Sequence, residues 1–402
     1  MLNIIIKNKS LIQVTIWISA LFLGVTLGLL NINVINHLFN FIALFFTRLF
    51  QCLAIPVIAL AVITALSKLT EEKNTGRIFK HTIFYTLLTT FLAAITGLIL
   101  YVLFTPNNII VNNTLGKTQT TSYFEYLVSI IPNNIFQPII TGNALSVILI
   151  AAAIGIALSI AKKNENIETL SKVIFGIQEI LFILIQGLIK ILPIGIMAFA
   201  GQLSSQIINN TAIGALGKYT AIVLTGNIIQ SLIIIPLILL IKGINPIYTF
   251  KNMLPAIVTA FFTKSSAGTL PVTLNCAENN LKINPEISRF VLPICTTINM
   301  NGCAAFILIT SLFIMQNAGI HLTLGTMIIW VFIAVFAAIG NAGVPMGCYF
   351  LTVSLMSSIG APIGILGLIL PIYSIIDMVE TTENVWSDSA VCMLTNKDIE
   401  IS

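Results

Sequence analysis

Charge is what this sequence has least of. Only 8% of its 402 residues are Asp, Glu, Lys or Arg, against 57% apolar, and the acids number fourteen. A soluble chain of this length would carry about a quarter charged residues and divide into two or three domains, so that class is excluded. Cysteine is sparse and unpatterned: Cys52, Cys276, Cys295, Cys303, Cys348 and Cys392 form no CxxC or Cys/His spacing, and the histidines are scattered. A zinc or thioredoxin-like motif is therefore excluded, and most of the cysteines read as small apolar core residues. A small-residue cleavage site is also missing after "MLNIIIKNKS", so the first apolar run is expected to be a retained helix, not a leader.

What is present instead is long apolar runs such as "LIQVTIWISALFLGVTLGLL" (11–30) and "TIFYTLLTTFLAAITGLILYVLF" (82–104). Each is long enough to span a bilayer core, which predicts an all-α polytopic membrane protein in contact with lipid. Spans are expected at 11–32, 40–67, 81–104, 143–162, 172–199 and 217–242. The net charge of +5 needs no nucleic acid to explain it, because it follows topology. Lys7 and Lys9 precede the first span; Lys68, Lys73, Arg77 and Lys80 follow the second; Lys162, Lys163 and Lys172 follow the fourth; Lys242 and Lys251 follow the sixth. The alternate loops, 105–120 and 202–216, hold only Lys117. The positive-inside rule places both termini in the cytoplasm. The lack of large loops and the Ile- and Asn-rich composition suit a bacterial inner membrane. The "NNT" triplets at 112–114 and 209–211 are chance matches to a glycosylation acceptor in an Asn-rich chain.

After residue 250 the pattern changes. "MLPAIVTAFFTKSSAGTLPVTLNCAENN" (253–280) is apolar at both ends and broken in the middle, with arms of about ten residues, ~15 Å of helix, half a bilayer core. The segment 327–359 repeats the design around "NAGVP". Two re-entrant hairpins on opposite sides, each followed by a span (287–316 and 363–395), form an inverted repeat, the plan of a transporter with a midplane site. The expected division is six helices in 1–250 and the two hairpins, each with its following span, in 251–402.

Asp377, Glu380, Glu383 and Asp388 fall within twelve residues of the last span. Asp377, Glu380, Thr381, Asn384 and Asp388 lie on one narrow stripe at 100° per residue, and Glu383 lies off it. A charge at the bilayer centre costs about 2.5–3.5 kcal/mol on insertion scales, so the stripe must face protein, water or cations; the bland alternative is a solvated cytoplasmic tail helix. In "LPICTTINMNGCAAFILIT" (292–310), Asn299, Asn301 and Gly302 predict a local unwinding that frees carbonyls for a hard monovalent cation, against the plainer reading of polar residues gluing helices together.

Four motifs, "TKSSAGTLPVT" (263–273), "INMNGC" (298–303), "AIGNAGVP" (338–345) and "DMVETTENVWSD" (377–388), resemble in order those of the dicarboxylate/amino acid:cation symporters, the glutamate-transporter superfamily. The resemblance implies eight transmembrane helices plus two re-entrant hairpins in a homotrimer, no enzyme activity, and elevator-type symport of an amino acid with Na+. It implies that Asp377 receives the substrate amino group and that Asn384 and Ser266 hold its carboxylate, with Ser265, Cys303, Gly343, Val344, Glu380 and Thr381 completing the pocket. One sodium site would use Asn299, Asn384, Asp388 and the Cys295 carbonyl. A second would use Thr297 with the carbonyls of Ala338, Ile339 and Asn341, and a third Asn301 with Thr89 and Thr90.

Departures from the family pattern direct the substrate expectation. Glu380 stands where acidic-substrate members carry an arginine, so acidic substrates should be repelled; "ETTEN" is closest to the sodium-coupled serine/threonine branch. Glu380 is expected to pair with Lys264 or hydrogen-bond a hydroxyl; binding a cationic side chain and carrying a proton stay open. Cys303 replaces the signature's threonine, and Asn301 replaces its aspartate, which weakens the third sodium site. Small neutral amino acids with Na+ as coupling ion, H+ coupling remaining open and no organic cofactor, are the expectation. Acidic or cationic amino acids, or a passive channel, are the alternatives. An intramembrane aspartyl protease would need two acids facing each other from separate helices, whereas Asp377 and Asp388 share one.

Overall fold

The computed structural model of the chain describes residues 16, 19–67, 76–109, 131–141, 144–161, 164–206, 211–341 and 346–400. Among them every regular element is helical. In order these are α1 (Ser19–Leu29), α2 (Asn33–Ser67), α3 (Gly76–Phe104), α4 (Gln137–Thr141), α5 (Ala144–Ile160), α6 (Glu165–Gln206) and α7 (Thr211–Ile229). The π-helical turn Gln230–Ile234 continues α7 into α8 (Ile235–Ile241). Then follow α9 (Pro246–Thr263), α10 (Ser266–Asn275), α11 (Pro285–Ile298), α12 (Asn301–Asn317), α13 (Leu324–Ile339), α14 (Gly347–Ser358) and α15 (Gly364–Glu400).

Three stretches are long and apolar enough to cross a bilayer unaided, Gly76–Phe104, Gly214–Ile241 and Pro285–Asn317, and the bent last helix adds a fourth. Ser19–Leu29, Asn33–Phe46, Leu149–Ile160 and Lys190–Gln202 are shorter apolar helices within the other expected spans. α3, α5 and the α11–α12 pair end within a few residues of the expected bounds, whereas α2, α7 and α9 start six or seven residues early and α6 runs 42 residues. In α6 the extra length is the polar lead-in Glu165–Ser171 together with Ala200–Gln206 at the other end.

Local chemistry sets the helix starts. Asn245 accepts from the Ile247 and Tyr248 amides with Pro246 at the first helical position, Asn284 caps α11 ahead of Pro285, and Thr323 caps α13. Each supplies an oxygen to an otherwise orphaned N–H. The breaks are equally local: Lys264 takes a left-handed φ of 53° between α9 and α10, and Met346 one of 63° before α14. Asn299 and Met300, at ψ 73° and 67°, interrupt what would be one helix from Pro285 to Asn317. The last helix bends by 72° between Leu370 and Ile372, at a proline that lacks the N–H a straight helix needs.

α12 lies at the centre, buried from Asn301 to Met315 on every face, as a helix apolar all round must be. Its Phe306 meets Tyr373 of α15 and its Phe313 stacks on Tyr219 of α7 in the larger apolar cluster. A second cluster, with Met253, Val291 and Trp386, joins α9, α11 and α15, and the Trp386 indole donates to the Ser231 carbonyl at 3.0 Å. On the periphery α2 and α6 expose Phe41, Leu44, Ile177, Ile180 and Leu184, an apolar girdle of the kind lipid covers. α1 crosses α6 closely: a Cβ on Gly28 would run into the Gly201 backbone.

α15 runs beside the α7–α8 unit in a constant register. Trp386 meets Ser231, Lys397 meets Gly243 and Asp398 meets Lys242, so the helices are parallel and end together. At that end Asp398 accepts from Tyr85 and from Lys242 (3.0 Å), with His81 at 3.2 Å.

Candidate functional site

The acidic stripe of α15 is inside the protein. Asp377 is 4% exposed, Glu380 and Glu383 1%, and Asp388 is fully covered, which excludes the solvated-tail alternative. The stripe faces the two helix breaks. Lys264, Ser266, Met300, Asn341, Cys348, Asp377, Glu380, Thr381 and Asn384 line a small cleft.

At the first break the turn Lys264–Ser266 begins α10. Ser265 Oγ accepts from the Gly268 amide at 3.0 Å, so this hydroxyl caps the helix, and it is Ser266 that lines the cleft. Ser265 thus stands one residue off its expected place on the wall: two adjacent serines precede the same helix and only one can be the cap. Lys264, 7% exposed, has Ser374 Oγ at 3.4 Å and Asp377 as its electrostatic partner. Glu380 finds its hydroxyl in Tyr373, which donates to Oε2 at 3.3 Å, while Oε1 has no hydrogen-bond partner. Asp377 Oδ2 accepts from the Met346 amide at 3.3 Å, and Thr381 Oγ1 donates back to the Asp377 carbonyl.

Beneath the cleft lies a hydrogen-bonded core built on the α11–α12 break. Thr89 donates to Asn299 Oδ1 at 3.0 Å and Thr90 to Asn301 Oδ1 at 2.9 Å. Asn299 Nδ2 donates to Ser387 Oγ and Asp388 Oδ1, and Asn301 Nδ2 to Ser387 Oγ at 2.7 Å. Asn384 Oδ1 accepts from the Gly302 amide at 3.0 Å, and its Nδ2 points to Met300 Sδ. Gly302 has no room for a side chain: a Cβ there would sit 2.7 Å from Asn227 Oδ1 and 2.8 Å from Glu380 Cα. Asp388 Oδ2 and Asn341 Oδ1 are buried acceptors left without a partner, and each such group is costly unless something satisfies it. Oxygen acceptors from a carboxylate, amides and hydroxyls are the donor set a hard cation takes. No cluster of His, Cys, Asp and Glu suited to a transition metal occurs among the described residues.

The expected cation residues separate into groups. Asn299, Asn301, Asn384, Asp388, Thr89 and Thr90 share the core just described. The Cys295 carbonyl accepts from the Asn299 amide, and Thr297 Oγ1 bonds to the Ile294 carbonyl of its own helix. Ile294 and Ile298 pack with Ile339, which brings the Thr297 turn beside the end of α13, where Ala338 and Asn341 are buried. Gly343 and Val344 lie outside the described residues. Glu383 is buried with neither carboxylate oxygen partnered and does not line the cleft.

Ser387, Met300 and Tyr373 were not anticipated. Ser387 adjoins Glu380 in angle around α15 and was the detectable one; a tyrosine in an apolar run reads as core. Most of the cysteines, Cys276, Cys295, Cys303, Cys348 and Cys392, are buried as expected; Cys52 is exposed, and Cys303 and Cys348, 45 residues apart, are paired as a disulfide. Partners so far apart leave no spacing signature.

Known proteins resemble the chain along its length. It is 28% identical to excitatory amino acid transporter 3 of Mus musculus, over 98% of this chain and 87% of that one. It is 27% identical to an excitatory amino acid transporter of Caenorhabditis elegans, over 85% and 78%. It is 32% identical to excitatory amino acid transporter 1 of Ambystoma tigrinum, over 61% and 46%. These relatives are transporters, not enzymes. The profile of the sodium:dicarboxylate symporter family matches residues 14–398, with the cleft and the polar core inside that range, and the chain belongs to this family of sodium-dependent amino acid transporters.

Proposed function

We propose that the protein carries a small neutral amino acid, serine- or threonine-like, into the cell together with Na+. The observation that carries this reading is Glu380, buried on the cleft wall with one oxygen unpartnered. A second negative group there would oppose a substrate carboxylate, whereas a hydroxyl can donate to the free oxygen. Asp377 takes the substrate ammonium as a charge-assisted hydrogen bond, and Asn384, Ser266 and the start of α10 take its carboxylate. Na+ is bound as cargo by Asp388, Asn299, Asn301 and their Thr89 and Thr90 neighbours, with another place at Thr297 and the end of α13.

In this reading α9–α10 and α13–α14 are re-entrant hairpins entering from opposite faces. Residues 251–402 are the moving core, 1–250 supply the scaffold, and three copies assemble in a bacterial inner membrane with both termini in the cytoplasm. Gly343 and Val344 belong to the second hairpin's contact with substrate. Substrate and Na+ both favour the closed second hairpin, which couples them. A second reading rests on Lys264: its ammonium at the cleft offers a partner for a side-chain carboxylate, as the names of the relatives would suggest.

Serine uptake into proteoliposomes under an inward sodium gradient tests the choice. Accumulation that excess aspartate leaves unaffected is expected. Aspartate transport in place of serine would overturn the neutral-substrate reading, and uptake indifferent to the gradient would indicate a channel.

A further inference from the structure

Glu383 takes part in neither the cleft nor the polar core. It stands three residues after Glu380 and three before Trp386, so its side chain leaves α15 midway in angle between theirs. Both of those neighbours meet α7 or the π-helical turn that follows it. A Cβ on Gly302 would touch Asn227 Oδ1 and Glu380 Cα together, and the Trp386 indole donates to the Ser231 carbonyl at 3.0 Å. Glu383 therefore points at the end of α7. The register of the two parallel helices sets it level with Ile228, between Asn227 and Gln230.

Glu383, Asn227 and Gln230 are each at most 1% exposed. The amide nitrogens are used: Asn227 Nδ2 donates to the Val223 carbonyl at 2.8 Å and Gln230 Nε2 to the Thr89 carbonyl at 3.0 Å. The oxygens are not. Asn227 Oδ1, Gln230 Oε1 and both Glu383 oxygens are buried acceptors without a hydrogen-bond partner. Four such oxygens, with no donor directed at them, call for a positive charge. The helix is also widened here, since the π-helical turn begins at Gln230, a distortion that recurs at functional sites. Thr89, which receives Gln230 on its carbonyl, donates its hydroxyl to Asn299, so this place adjoins the polar core.

We propose that Glu383, with Asn227 and Gln230, holds a sodium ion of its own between α15 and α7, separate from the ions at Asp388 and Thr297. The proposal takes the identity of the ion from the transport reading and adds a place to it. Ligands that are all oxygen suit a hard cation, and a single carboxylate matches a single positive charge. Asn227 is already crowded against Gly302 and Glu380, which favours Na+ over the larger K+. Bound there, the ion draws α15 and α7 together, because each helix supplies part of its ligand set.

Equilibrium binding of radioactive sodium to the full chain in detergent, without serine, tests it. Glu383→Gln keeps the shape, removes the charge and should bind one ion fewer per chain than wild type. An equal count would overturn the proposal. Asp388→Asn should also lose one ion, and the double variant two; a double variant that loses no more than either single one would mean that the carboxylates share an ion, and the separate site falls. Asn227→Ala leaves the carboxylate in place and should weaken one ion about tenfold, whereas unaltered affinities would remove Asn227 from the site. This second variant also decides the matter if melting in choline shows Glu383→Gln unfolded. An excess of potassium should displace none of the sodium that Glu383→Gln loses; displacement would overturn the choice of ion. A failure of serine uptake would count against the neutral-substrate reading alone, since the ion count is taken without serine.

Discussion

Asp377 and Glu380 are one turn apart on α15, yet their surroundings give them different work. Asp377 has Lys264 as electrostatic partner and a backbone amide on one oxygen, which would keep it anchored while, on the proposed reading, it receives a cationic group. Glu380 lines the cleft, takes the Tyr373 hydroxyl on one oxygen and keeps the other buried without a hydrogen-bond partner. Replacing Asp377 with Asn keeps the shape and removes the charge. The loss should be about 1.5–3 kcal/mol, up to roughly two decades of serine affinity, measured by binding to folded protein; retained saturable uptake would remove the amine-partner role. Glu380→Arg should move preference toward aspartate, read as the ratio of aspartate to serine uptake. An unchanged ratio would mean that this position does not read the side chain.

At the scale of elements, the break between α11 and α12 organises the site. Two residues with non-helical ψ turn Asn299 and Asn301 toward α3 and α15 at once, and Gly302 lets α15 approach to where any Cβ would collide with Glu380. Gly302→Ala should therefore push α12 off α15 and lower stability by about 1–3 kcal/mol, the usual range for overpacking, with sodium-dependent stabilisation lost as well. Thermal unfolding in detergent with and without NaCl checks both.

Much of this element was readable in advance. In so apolar a background, a stripe of carboxylates at helical spacing and an Asn-x-Asn-Gly interruption can only face inward, because lipid would not tolerate them. Ser265 and Ser266 were not separable, since either serine can cap a helix and only the backbone decides. The Cys303–Cys348 bond was illegible for a different reason: it depends on two elements meeting in space.

At the scale of the molecule, the polar core and the cleft share Asn384, which faces Met300 and Gly302 on one side and the cleft on the other. On the proposed reading, cation and substrate binding are linked through this one side chain. Raising Na+ should lower the serine dissociation constant by the same factor by which serine lowers that of Na+, a reciprocity that equilibrium coupling requires. Isothermal titration at several fixed concentrations of the other ligand measures both factors, and unequal factors would point to a third linked species.

The seat of Trp386 also makes the protein its own optical gauge. The chain has three tryptophans, Trp17, Trp330 and Trp386. The last is two residues from both Asn384 and Asp388, edge-on to Phe250 and bonded to the Ser231 carbonyl. With Trp17 and Trp330 replaced by Phe, all indole emission would come from a ring on the face of α15 opposite the carboxylate stripe, set against Phe250 of α9 and the π-helical turn after α7. If, as proposed, Na+ binding reseats α15, sodium should shift its wavelength and choline should not, which would make occupancy visible without a label, a flux assay or a membrane.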